Sequence, residues 1–169
     1  IQADVQALHC DLVENESAGK GSGLPGLSLT VRRPPIIAAT GDDADLLVGI
    51  EAAPDELGDR VPAIQYKGKA YRIWREVDNF TNLGPDRFVY IADRIRGTIT
   101  FAPAIQIMSA EGRMDRTPQA LAEVVKEGRE ILISYRCGGG PEGNVAANTL
   151  TTLKNPIPGI QVTNPEPAT

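Results

Sequence analysis

Histidine occurs once in this chain, at position 9, and that scarcity removes whole classes of chemistry. A metal centre built from several histidines is impossible within it, and a Ser-His-Asp or Cys-His relay would have to run through His9. Its neighbour Cys10 is no simple partner, because adjacent side chains in a strand point to opposite faces. His9 therefore reads as a surface or core histidine without a chemical role. Cysteine is almost as scarce, with Cys10 and Cys137 the only two. Two cysteines do not make a disulfide framework, so free thiols and a reducing compartment are expected. Aromatic residues are few, at one tryptophan, four tyrosines and three phenylalanines, so the core has to be mainly aliphatic. No apolar run approaches the ~20 residues of a membrane-spanning helix, and direct membrane insertion is not expected.

Basic charge is also in deficit. Seventeen Lys and Arg stand against 22 Asp and Glu, a formal net charge of -5. Nucleic-acid binding draws most of its affinity from basic surface and counterion release, so no nucleic-acid partner is expected. Arg32-Arg33 and the trio Arg87, Arg94 and Arg96 read as solvated faces. Asp42, Asp43 and Asp45 lie close together but lack the spaced oxygen ligands and distal glutamate of a calcium loop. They read as a soluble turn. The glycines from Gly138 to Gly143 lack the G-K-[ST] ending of a phosphate-binding loop and the spacing of a dinucleotide fingerprint. No catalytic residue, cofactor site or metal site is expected.

What the chain has in quantity is glycine and proline, 17 and 13 residues respectively. They cut it into short segments, which favours strands and turns. The expected fold class is mainly β (α+β), with short antiparallel strands, hairpins and one short helix. Residues 1–13 fit a helix or a strand equally well, and residues 14–26 read as a polar, glycine-rich loop. Residues 27–31 alternate with period two and stop at Pro34-Pro35, which predicts a short edge strand. Residues 46–50 form a compact apolar run, and 52–62 an acidic loop. In the next strand Tyr71, Ile73, Arg75 and Val77 share one face, with Arg72, Trp74 and Glu76 on the other. Residues 88–91 and 98–101 predict a hairpin that turns near Asp93-Arg94 and Gly97. Thr117 as N-cap, Pro118 in the first turn and Gly128 as the stop predict a helix near 117–127, with Leu121, Val124 and Val125 on one face.

A strand that runs into three consecutive glycines needs a reason, because ordering glycine costs entropy. Residues 130–134 lead into Tyr135, Arg136, Cys137, Gly138, Gly139, Gly140, then Gly143, Asn144 and Val145. A later Val162-Thr163-Asn164-Pro165 follows. The order Y-R-x-G-G-G-x-x-G-N-V and then V-T-N-P-x-x-A resembles the baseplate J-like proteins of contractile phage tails and related injection systems. Gly21-Ser22-Gly23-Leu24-Pro25-Gly26, Trp74-Arg75-Glu76-Val77-Asp78-Asn79-Phe80 and the stretch from Asp86-Arg87-Phe88 to Phe101 resemble further stretches of that family, in the same order. The chain departs from the pattern after Phe101, where Ala102-Pro103-Ala104 replaces G-D-G, and in a longer connection over 105–128.

The resemblance implies a structural role: a baseplate-wedge subunit that joins its neighbours around the tail hub and rearranges when the sheath contracts. The implied partners are other wedge subunits, further copies of itself, and hub and sheath-proximal baseplate proteins. Assembly in the bacterial cytoplasm is implied as well. On this reading Trp74, Phe101, Tyr135, Arg136, Gly138, Gly139, Gly140, Gly143, Asn144, Val145, Asn164 and Pro165 are structural motif residues. The chain starts at Ile1 and stops inside a family motif, so an internal piece of a longer polypeptide is expected. Its divisions are an N-terminal arm and edge strand over 1–40, a β-rich domain over 41–160, and a linker over 161–169. Two other functions compete: a β-sandwich binding carbohydrate or peptide, and a small hydrolase using His9.

Overall fold

The computed structural model describes residues 10–37, 46–58, 61–105, 119–138 and 144–167. His9, the Asp42, Asp43 and Asp45 cluster, Thr117, Pro118, Gly139, Gly140 and Gly143 lie outside the described residues.

The fold is mainly β, built around strand β10 (Glu130–Cys137). Isoleucine, leucine and tyrosine fill this strand, and both its faces are covered, as a central strand requires. On one side it pairs antiparallel with β1 (Asp11–Lys20), and on the other with β3 (Leu46–Ala52). β5 (Lys69–Glu76) continues the sheet beside β3, and its first half also takes β4 (Ala63–Tyr66) through a tight turn at Lys67-Gly68. β6 (Val89–Asp93) runs parallel to the last residues of β5 and forms a hairpin with β7 (Thr98–Thr100). β2 (Ser28–Thr30) pairs with β7 at the end of the row. The order is therefore β1-β10-β3-β5-β6-β7-β2. β8 (Ala104–Ile105) and β9 (Gln119–Ala120) form a separate two-stranded ribbon.

The two ends of this row come back together. Asp11 of β1 holds Arg33, just beyond β2, at 2.6 Å, and Glu16 accepts the backbone N–H of Arg32 at 3.0 Å. The sheet is thus curled almost into a closed barrel, which hides most of its edges. Val48, Ile50, Trp74, Ile131, Ile133 and Tyr135 point inward and meet Val31, Ile99, Phe101 and Val125 in one core. A smaller cluster of Val89, Ala102 and Ala122 lies against Val77, Phe80 and Leu83.

The edge strand at 28–30 and the hairpin at 89–100 match expectation, and Gly97 turns that hairpin with φ +67°. Two expectations are corrected. Residues 14–20 are not a loop but the greater part of β1. Register shifts at Val13/Glu16 and Ser17/Gly19, with Asn15 at φ 51°, disrupt the period-two pattern that would have marked it as a strand.

The helix near 117–127 is absent from the described part of that segment, 119–127. After β9, residues 121–129 form a strap that, apart from the turn Arg129 N–H closes on Lys126 O at 3.3 Å, bonds through its backbone to distant loops. Glu123 N–H donates to Arg87 O, Gly23 N–H to Val125 O, Gly21 N–H to Arg129 O, and Gly128 N–H to Gly21 O. Gly128 does turn the chain with φ +76°, but within this strap. Leu121, Val124 and Val125 do not share one buried face: Val125 enters the main core, while Leu121 and Val124 stay half-buried.

Residue 40 is the expected boundary between the N-terminal arm and the β-rich domain. β1 and β2 pair with β10 and β7, so residues on both sides of that boundary share one sheet.

Cys137 is buried and Cys10 half-buried, and both are free thiols. Asp11 pairs with Cys137, which puts Cys10 out of step with it and facing the other side of the ladder.

Candidate functional site

The motif residues separate into a core group and an outlying group. Trp74 stands edge-on to Phe101 and to Phe88, with ring centroids 5.5 Å apart in each pair. Tyr135 lies in the same core on the adjoining stretch of β10. Arg136 is on the opposite face of that strand, and its carbonyl accepts the N–H of Ile37. Gly138 leaves the strand with φ +112°, a torsion that favours glycine. Beyond it, Asn144, Val145, Asn164 and Pro165 belong to a segment without any buried residue.

Tyr135 has a second role that its place in the motif did not reveal. Its hydroxyl donates to Glu16 Oε2 at 2.8 Å and accepts the Arg33 N–H at 3.1 Å. Glu16 Oε1 takes the Arg32 N–H, so the buried carboxylate of β1 is bonded at both oxygens. This network ties both ends of the curled sheet to its central strand. Glu16 was missed because its inward position depends on the bulge beside it.

A second polar group crosses the outer face of the sheet. Glu130 accepts hydroxyls from Ser17 at 2.8 Å and Tyr71 at 2.9 Å. Lys69 lies 3.1 Å from Glu51 and 3.7 Å from Glu130. The Ser17 and Tyr71 hydroxyls and Lys69 hold the Glu130 carboxyl below its ordinary value. Burial alone would raise Glu51, but Lys69 and the Glu130 N–H outweigh it. Each group is thus fixed in one protonation state near neutrality, as suits a cross-strand tie and not a proton shuttle.

Burial, then the bonded carboxylates, push both tyrosines up to about 12: Tyr71 against Glu130 and Tyr135 against Glu16. A folded-state value raised above the unfolded one contributes stability that is complete below pH 10 and is lost as the pH climbs towards 12. Urea midpoints should therefore fall from pH 10 upwards, and less steeply in Tyr135→Phe. That substitution should also cost about 1–3 kcal/mol at pH 7, because it strips one partner each from the buried Glu16 carboxylate and the Arg33 N–H. An unchanged urea midpoint at pH 7 would contradict the network's role.

Where β3 and β5 meet the strap, a cavity of about 270 Å³ opens. Ile50, Trp74, Phe88 and Val124 give it apolar walls, and Arg72 lies over the Phe88 ring at 3.3 Å from its centroid. On the rim Glu56 is paired with Lys126 and with Arg129, the latter at 3.2 Å. Glu123, also on the rim, has no ion pair among the described residues. A polar depression of about 500 Å³ is lined by the loop after β5, including Asp78, Asn79, Thr81 and Asn82. Among the described residues there is no cluster of three or more His, Cys, Asp or Glu suited to a metal, and no helix long and apolar enough to cross a membrane.

Asn164 organises the outlying segment. Its carbonyl accepts the Asn148 N–H, its Oδ1 accepts the Leu150 N–H at 2.8 Å, and its Nδ2 donates to Ala146 O at 2.9 Å. Residues 146–166 are thereby closed into a loop, and the linker expected to start at 161 is part of it. Among the described residues, all the hydrogen bonds of 144–167 are internal to that segment. Compared with protein-family models, with curated proteins and with solved structures, the chain matches none.

Proposed function

We propose that this chain is a structural module of a multi-subunit particle, a baseplate-wedge subunit of a contractile tail or injection system. The carrying observation is the 144–167 loop, closed on itself by Asn164, with Leu150, Ile157 and Ile160 all exposed. Ordering such a loop costs conformational entropy, and leaving its apolar side chains in water forgoes the burial that would offset it. Contact with other chains supplies that burial. The order of the sequence motifs points to the same kind of particle, and the curled sheet suits a rigid unit that moves as a body when the sheath fires.

The partners on this reading are further copies of the chain, other wedge subunits, and hub and sheath-proximal proteins, met in the bacterial cytoplasm during assembly. The competing β-sandwich reading, a binder of carbohydrate or peptide, lacks two facing sheets among the described residues. An epitope-tagged chain expressed in its source cells should purify with contractile particles, and labelling should place it at the baseplate in a fixed copy number. Particles that form and contract without containing the chain would refute the proposal.

A further inference from the structure

We infer that the loop tip of one copy, residues 155–160, inserts into the Trp74–Phe88 cavity of a second copy, so that the chains join head to tail. This deepens the wedge-subunit reading and rests on it only for the setting; the contact itself is argued from the cavity and the loop.

The two surfaces fit in chemistry. The tip reads Asn155-Pro156-Ile157-Pro158-Gly159-Ile160, with Ile157 and Ile160 at 55% and 56% exposure. Proline-flanked segments are partly ordered before binding and dock on aromatic-lined grooves at low entropic cost. The cavity supplies Trp74 and Phe88 for that purpose, and at about 270 Å³ it has room for a branched aliphatic side chain but not for a large ligand. Charge agrees as well. Lys154 precedes the tip and Glu123 stands on the cavity rim, and neither has an ion-pair partner among the described residues.

The tip does not fill the cavity of its own chain, since Ile157 and Ile160 stay more than half exposed. The cavity lies at the Glu130 end of β10, beside Ile50 and Arg129, whereas the loop departs from the Gly138 end. Seven residues of strand separate these ends, about 23 Å at ~3.3 Å per residue. A loop leaving one end and a socket at the other make a heterologous contact, which closes into a ring or grows as a chain. One tip falls short of the ~800 Å² per partner of a stable interface, so a single contact should be weak and a closed ring much stronger.

Trp74 is the only tryptophan, so its emission reports on the cavity. Titrating a synthetic peptide of residues 150–162 into the 169-residue chain should change Trp74 emission saturably. Sedimentation of the chain alone should show mass rising with concentration. Ile157→Asp with Ile160→Asp, both at exposed positions, should abolish that rise. Glu123→Lys and Lys154→Glu should each weaken it at least five-fold, and the double charge reversal should restore it.

Three results would overturn the inference. One is a strictly monomeric chain with Trp74 blind to the peptide. Another is a monomer whose Trp74 emission shifts in the Ile157→Asp variant, which would mean that the loop folds back on its own chain. The last is association that survives the double aspartate. None of these touches the wedge-subunit reading, which falls only if particles lack the chain.

Discussion

Trp74→Ala should be the most damaging single substitution in the described core, costing about 3–5 kcal/mol, the range for truncating a buried large aromatic. Trp74 is only 4% exposed and stands edge-on to both Phe88 and Phe101. It pairs with Val48 of β3, so its ring lies where the sheet bends from the β10–β3 half towards β6 and β7. Removing it leaves Phe101 without its edge contact and opens the cavity beside it into the main core. For a chain of this length the loss corresponds to roughly 10–15 °C in melting temperature. Trp74→Phe should recover more than half of that. A melting temperature within 3 °C of the parent for Trp74→Ala would mean that the core is not organised around this ring.

Gly21→Ala should be nearly as costly, for a different reason. A methyl group at Gly21 would collide with the Lys126 carbonyl oxygen and sit 2.6 Å from Val125 Cγ1 and 2.8 Å from the Val125 carbonyl. The obstruction is backbone, which cannot swing aside as a side-chain end can. Gly21 and the strap exchange two hydrogen bonds here, Gly21 N–H to Arg129 O at 2.8 Å and Gly128 N–H to Gly21 O at 3.0 Å, so any retreat of the strap breaks both. Its φ is not among the positive ones, so the cost is the collision itself. About 3 kcal/mol is expected, the upper part of the overpacking range, with the strap's amides losing protection in hydrogen exchange. Gly58→Ala is the control, since nothing lies within 4 Å of its added methyl and no change is expected. Equal effects at the two positions would refute the argument.

The sequence was legible where local pattern and final pairing agree. Residues 28–30 alternate and end at prolines, and they form an edge strand. Gly97 marks a hairpin, and it turns one. Legibility failed where tertiary partners replace local ones. Residues 14–20 of β1 looked like a loop because two bulges put Glu16 inward and shift the apolar positions out of step. The helix signals at Thr117, Pro118 and Gly128 are real local preferences, but beyond one turn at Lys126–Arg129 the backbone of 121–129 bonds with Arg87, Gly21 and Gly23, residues no local window contains.

For the site, the motif pointed to Tyr135 and Asn164 without disclosing what they do. One fastens the curled sheet through Glu16, and the other closes the outlying loop. The Trp74–Phe88 cavity could not be read at all, because its walls come from β3, β5, Phe88 just before β6 and the strap, brought together only by the fold.

If the chain is the wedge subunit proposed above, the 146–166 loop is dispensable for folding and indispensable for assembly. The decisive experiment deletes it and measures the melting temperature of the purified protein beside particle formation in cells carrying only the deleted gene. The prediction is a melting temperature within about 2 °C of the parent, since none of the loop's residues is buried, together with the loss of complete baseplates. Normal particles built from the deleted chain would contradict the account.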